Sequence, residues 1–195
     1  MERPEPTPIA DTVFAVVDLE TTGFDPQKDR IVQMAAVLVN GRGEVVDTFD
    51  TVVKPESPEE YEHGAEHVHG ISRQMVENGM PLSDALSRIW SLTDGRVFTA
   101  HNARFDISFL EAESNRVGIN RVVNDFVDTL ALARRADIDR TRKHSLQALC
   151  EHYGITVERA HEATSDAKAT ASVLVKLIDE LGVRSRDQLP GLSAE

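Results

Sequence analysis

Apolar and polar positions follow two different periods along this chain, and the change of period divides it. Thr12 to Leu19 is a β-branched and apolar run, the pattern of a strand buried on both faces. Ile31 to Val39 and Val45 to Val53 read as two more strands, and Asn40-Gly41-Arg42-Gly43 between them predicts a hairpin turn. From Pro81 the spacing becomes helical, with Leu82, Ala85, Leu86, Ile89 and Trp90 on one face. Arg96 to Ala100 predicts a short strand that feeds a helix from Ala103 to Val117, which Gly118 ends. Val122 to Val127 predicts a last strand. Helices follow at 128–136, 144–153 and 164–181, the final one stopped by Gly182. This order of elements implies a single α/β domain with a mixed sheet over residues 11–182. Residues 1–10, with alternating Pro4, Pro6 and Pro8, read as a flexible leader, and 183–195 as a polar C-terminal tail.

Composition narrows the function. The chain has 195 residues with 33 acidic and 21 basic side chains, a net charge of −12. Such an acidic balance argues against a passive coat on nucleic acid, since that binding is driven by phosphate neutralisation. It leaves room for an enzyme that meets phosphates through bound metal ions. The longest apolar run, Met34 to Val39, is far too short for a transmembrane helix. No basic-then-apolar signal pattern opens the chain, so a cytoplasmic protein is expected. A single cysteine, Cys150, excludes an intramolecular disulfide and a Cys-based zinc or iron–sulfur centre; its apolar helical context predicts a packed thiol. Segment 55–66 carries five acidic residues and no Lys or Arg, the mark of a solvated stretch.

Three short segments carry chemistry. In Val16-Val17-Asp18-Leu19-Glu20-Thr21-Thr22-Gly23, Asp18 and Glu20 point to the same side of a strand end. Either the strand has already reached solvent there, or two buried carboxylates need a metal partner. In His101-Asn102-Ala103-Arg104-Phe105-Asp106, Asp106 falls in the first turn of a helix, where an acidic residue is also favourable without any function. In His161-Glu162-Ala163-Thr164-Ser165-Asp166-Ala167, Asp166 neighbours Ala163 and Thr170 on the buried stripe of the last helix, and His161 stands just before it. Singly, each has a structural explanation. Together, four carboxylates on a strand end and two helix starts suit hard divalent cations, which prefer oxygen ligands. Two such ions about 4 Å apart stabilise the attacking and leaving oxygens of phosphodiester hydrolysis. A histidine beside them is the residue type suited to take a proton from water.

This residue set resembles that of the DEDDh-type 3′→5′ exonucleases, and the chain is similar to the proofreading epsilon subunits of bacterial replicative polymerases. Asp18 and Glu20 match the first motif, Asp106 the second, and His161 with Asp166 the third, with the four-residue gap of the histidine branch. Val68-His69-Gly70-Ile71, Asp128-Thr129-Leu130-Ala131-Leu132-Ala133-Arg134 and His144-Ser145-Leu146-Gln147-Ala148-Leu149 also resemble epsilon-like proteins. The likeness runs from about residue 12 to 181. It implies a ribonuclease H-like fold with a five-stranded mixed sheet flanked by helices. It also implies two Mg²⁺ or Mn²⁺ ions held by Asp18, Glu20, Asp106 and Asp166, with His161 as general base. By the same resemblance Thr21, Thr22 and Gly23 lie by the terminal nucleotide, Val68, His69 and Phe105 pack against its last bases, and Asn102 contacts the backbone. The implied substrate is the 3′ end of DNA, single-stranded or frayed, released as 5′-mononucleotides.

Other readings compete. RNA is an alternative substrate, because ribonuclease T and oligoribonuclease share the residue set. An inactive exonuclease fold that tethers a polymerase is another, disfavoured by the complete set of carboxylates. His63, His67 and His69 suggest zinc, but a loop that brings His69 to substrate explains them better. Asp128 reads as a helix N-cap. Arg134, Arg135, Arg140, Arg142 and Lys143 against Asp137 and Asp139 leave a local +3, either a phosphate-contacting loop or a solvated face. Gln188-Leu189-Pro190-Gly191-Leu192 faintly resembles a sliding-clamp-binding peptide without its apolar fourth position.

Overall fold

The computed structural model describes residues 6–57 and 61–189. Three long strands open the fold: β1 (Val13–Thr21), β2 (Ile31–Asn40) and β3 (Val45–Lys54). Two short helices, α1 (Glu66–His69) and α2 (Arg73–Glu77), lead to β4 (Met80–Pro81) and α3 (Leu82–Thr93). Then come β5 (Val97–Ala100), α4 (Ala103–Arg116), β6 (Phe126–Asp128), α5 (Thr129–Ala136), α6 (Leu146–Tyr153) and α7 (Ala163–Glu180). The sheet order is β4-β3-β2-β1-β5-β6, with β1 antiparallel to β2 and parallel to β5. Among the described residues the expected five strands are therefore six, because β4 adds a two-residue pairing on β3 that is too short to leave a periodic signal. The last expected strand contracts to three residues, since Val122 to Asp125 form no ladder.

Alternation along β1 builds two cores. Phe14 and Val16 pack with β2 and the inner faces of α5, α6 and α7; Ala15, Val17 and Leu19 pack with α3 and α4 on the opposite face. Asp18 and Glu20 continue the parity of Val16, so they emerge on the α7 face. Cys150 is packed in that same cluster. Asp18 and Glu20 pair in register with Ala35 and Gln33, so the strand has not reached solvent where the acids begin.

The two ends of the domain hold each other. Ile9 N–H donates to Arg184 O at 2.9 Å, Arg186 N–H donates to Thr7 O at 2.9 Å, and Pro8 bridges Ser185. Ile9, Val183 and Leu189 are buried in the α5–α7 core. The end of the expected flexible leader and the start of the expected polar tail are thus part of the packed body, because each contributes apolar side chains that the other covers. Residues 190–192 of the clamp-like segment lie outside the described residues, and Leu189 faces the core. Among the described residues no helix is long and apolar enough to cross a membrane.

Candidate active site

Three carboxylates meet on the α7 side of the sheet. Asp18 and Glu20 on β1 and Asp166 in the first turn of α7 each offer an oxygen, and these oxygens lie within 4.8 Å of one another. Gln33, opposite Glu20 on β2, sets this approach: its Oε1 accepts Ala163 N–H at 3.3 Å where α7 begins, and its Nε2 donates to Asp50 at 2.7 Å. Nothing in the sequence pattern marked Gln33, a lone polar residue in a buried strand that bonds a helix 130 residues away.

Asp106 stands outside this trio but approaches it from the other face, near enough for its charge to act on Asp18. It sits in the first turn of α4, 4% exposed, on a helix that packs with the opposite core. Burial raises its pKa well above the carboxylate range, while backbone N–H groups, its own and that of Leu19, offset part of the rise. Burial, then the charges of Asp106, Asp166 and Glu20, pushes Asp18 far up. Burial and Asp166 push Glu20 up to about 7, and burial raises Asp166. Among the described residues no lysine or arginine relieves Asp18 or Glu20. Half-buried, mutually repelling carboxylates that offer only oxygen donors fit hard divalent cations, whose positive charge would offset the repulsion.

The remaining expected residues are placed as follows. His161 lies before α7 with φ 62°; its backbone N–H donates to Asp166 Oδ2 at 3.0 Å and its ring is exposed. Thr21 Oγ1 donates to Gly23 O at 2.6 Å, and Thr22 Oγ1 donates to Asp29 at 3.3 Å, so this turn is internally bonded. The segment before α1 abuts it, for any side chain at Gly64 would collide with Thr22 O. Val68 is 45% exposed on α1. His69 is fixed at both ring nitrogens: Ile71 N–H donates to Nδ1 at 3.0 Å, and Nε2 donates to Gly64 O at 3.1 Å. Burial lowers its pKa, consistent with that neutral tautomer. His63 is taken up by Tyr61 and by Glu66 at 2.8 Å, and among the described residues the three histidines form no metal cluster.

Asn102 takes a left-handed conformation, φ 67°, at the head of α4, and its N–H donates to Asp128 Oδ1 at 2.9 Å. The same oxygen accepts Leu130 N–H at 2.9 Å, so Asp128 is the expected N-cap of α5 and also the tie between the heads of α4 and α5. His101 joins this tie through Thr129 Oγ1 at 3.0 Å. Phe105 stacks between Phe109 and the exposed ring of Phe24, with centroids 4.9 and 6.4 Å apart. Phe24 was not singled out in the sequence; an aromatic residue directly after Thr21-Thr22-Gly23 in a polar loop was the available signal. In the basic stretch, Asp137 accepts Thr141 N–H, Thr141 Oγ1, Arg142 N–H and His144 Nε2, and Arg142 pairs with Glu180 at 2.9 Å. These bonds hold its pKa far below the usual range, and Arg134, Arg135, Arg140 and Lys143 remain exposed.

The comparisons agree with this geometry. A family model described as Exonuclease, of the RNase T type, matches residues 15–174. A PolC-type DNA polymerase III of Thermotoga maritima is 34% identical over 174 residues, which is 87% of this chain and 12% of that relative. The chain therefore spans about an eighth of the length of such curated relatives. Exonuclease X in complex with 5′-overhanging duplex DNA superimposes with TM-score 0.67 at 25% identity, covering 90% of this chain and 96% of that one. The nuclease domain of 3′hExo, a DEDDh family member bound to rAMP, shares the fold with TM-score 0.73 at 19% identity, covering 87% and 93%. With three of the carboxylates convergent and the family model matching residues 15–174, most of the chain, it belongs to the RNase T-type exonuclease family.

Proposed function

We propose that the protein is a metal-dependent 3′→5′ exonuclease that hydrolyses the terminal phosphodiester of single-stranded or frayed DNA ends and releases 5′-mononucleotides. The observation that carries this reading is the convergence of Asp18, Glu20 and Asp166 oxygens within 4.8 Å of one another. Asp18, Glu20, Asp106 and Asp166 would hold two divalent cations, Mg²⁺ or Mn²⁺. Bound there, such ions supply Lewis-acid stabilisation of the attacking and leaving oxygens. His161, tied to Asp166 through its backbone, takes the proton from the attacking water. The water oxygen bonds to phosphorus, the bond to the O3′ of the preceding nucleotide breaks, and that O3′ takes a proton from solvent to leave as a hydroxyl. Phe24 and Phe105 offer ring faces to the last base, Thr21 to Gly23 shape the pocket for its sugar, Val68 and His69 close its far side, and Asn102 approaches the backbone. DNA is favoured over RNA because the PolC-type relatives are DNA polymerases and the exonuclease X relative was solved on DNA. The same relatives, being polymerases, support a polymerase as the partner of this domain.

The test is digestion of matched 5′-labelled DNA and RNA oligonucleotides with Mg²⁺, Mn²⁺ or EDTA. A metal-dependent ladder that shortens from the 3′ end supports the reading. No cleavage of either polymer under any metal overturns it.

A further inference from the structure

The loop between β1 and β2, residues 22–30, is polar in sequence, yet its backbone is held nearly throughout. Thr22 N–H donates to Arg30 O at 2.9 Å, and Arg30 N–H donates to Thr22 Oγ1 at 3.0 Å, which closes the neck. Inside the ring the Asp29 carboxylate accepts Asp25 N–H at 2.8 Å and the Thr22 hydroxyl at 3.3 Å, while Asp29 N–H donates to Asp25 O at 2.7 Å. The outer end is held from α4. Arg116 Nη2 donates to Pro26 O at 2.7 Å and to Gln27 O at 2.9 Å. Arg116 in turn pairs at 3.3 Å with Glu113, whose side chain is 1% exposed and accepts Ile31 N–H at 3.3 Å where β2 starts.

The consequence is positional. Gly23-Phe24 follows the neck directly, and Phe24 is 90% exposed with its ring centroid 6.4 Å from that of Phe105. Phe105 and Asp106 lie in the first turn of α4, and Arg116 is its last residue. At 1.5 Å per residue one rigid helix spans the roughly 15 Å between Asp106 and Arg116, so it sets the carboxylate and the loop together. Glu113 Oε2 and Arg116 Nη1 are buried without a hydrogen-bond partner, a rare feature in folded proteins. Gly23 belongs to the same device, because a Cβ there would collide with the Asp29 carboxylate.

Resting on the nuclease reading above, we infer that Arg116, with Glu113 and Asp29, positions the Thr22–Phe24 turn on α4 to receive the 3′-terminal nucleotide. None of the three touches substrate. They act by fixing a loop that would otherwise have to be ordered on binding, so their effect falls on substrate affinity.

The experiment pairs steady-state hydrolysis of a short 5′-labelled single-stranded DNA with Mn²⁺ and anisotropy binding of the same DNA with Ca²⁺. Arg116→Met should raise KM and Kd roughly tenfold and leave kcat within about twofold, the size expected for a loop that must be ordered on binding. Arg116→Lys, which keeps the charge but loses the fork onto two carbonyls, should fall between. Gly23→Ala and Asp29→Ala should each raise KM, and the double variant should be no worse than the poorer single one, since both remove the same support. Unchanged KM and Kd in Arg116→Met, or a loss confined to kcat, overturns the assignment. If Arg116→Met does not fold, Arg116→Lys and the Gly23–Asp29 cycle decide it. Wild-type protein that binds DNA without cleaving it overturns the nuclease reading alone, and the Kd values still judge these residues. Wild-type protein that does neither overturns both.

Discussion

Asp18 is the residue on which chemistry and stability pull hardest against each other. Its carboxyl is buried, three other acids raise its pKa, and no lysine or arginine among the described residues lowers it. Replacing it with asparagine removes the proposed ligand and a repelled charge at once. Asp18→Asn should therefore abolish turnover while raising the Tm of EDTA-treated protein by about 2–4 °C, the shift that about 1 kcal/mol gives in a chain of this size. Activity assays and thermal scans on the same preparation check both halves, and a variant that is inactive and less stable would place Asp18 among structural residues. His161→Ala should lose about two to four powers of ten in kcat with KM little changed, and added imidazole should restore part of it. A variant with near-normal kcat would remove His161 from proton transfer. Residues of this kind were readable in the sequence because charge stands out in an apolar run. Gln33, Asp29 and Glu113 were not, because polarity alone says nothing of a partner, and Glu113 and Gln33 bond backbone groups 82 and 130 positions away.

At the scale of elements, periodicity located the long pieces and failed on the short ones. β2 and β3 begin where their apolar runs begin and α3 occupies its predicted face, because burial on a sheet or a helix stripe repeats often enough to show. α1, α2 and β4 have five residues or fewer and owe their form to contacts with β3 and the loop before α1, so no repeat announces them. The junction of β6, α4 and α5 shows how a correctly read local signal can carry a longer role. Asp128 caps α5, as its position before a helical stretch implies, but the same oxygen also fixes Asn102 at the head of α4. Asp128→Ala should cost about 1–2 kcal/mol, the usual range for a lost cap, and lower the Tm by several degrees. It should also lower kcat, because the turn that aims Asp106 is released. Asp128→Asn keeps one acceptor oxygen and should recover most of both. If the two variants behave alike, the charge of Asp128, not its hydrogen bonds, matters.

For the whole molecule the decisive quantity is how acidity is distributed. The chain carries a net charge of −12, and the sheet gathers four of its acids where two helices and a strand end meet. Metal-free folding must therefore confine charge that the unfolded chain disperses. Glu20 gives the sign and the window. Its folded pKa is raised from 4.5 to about 7, so between those values the folded chain keeps a proton that the unfolded chain has lost. Stability from this group is fully present below about pH 4.5 and is lost as pH rises toward 7. Over that window Glu20 alone contributes about 1–3 kcal/mol, and Asp18, Asp106 and Asp166 shift in the same direction. Divalent cations held by the ionised cluster would return what rising pH removes. Thermal scans from pH 5 to 8 should show a Tm that declines with pH in EDTA and stays nearly level with Mn²⁺, the gap widening as pH rises. Asp18→Asn should flatten the EDTA curve and close the gap, since it removes both the repulsion and the ligand. Curves that run parallel with and without Mn²⁺ would mean that the cations bind elsewhere, and the four acids would then have no chemical reason to share one end of the sheet.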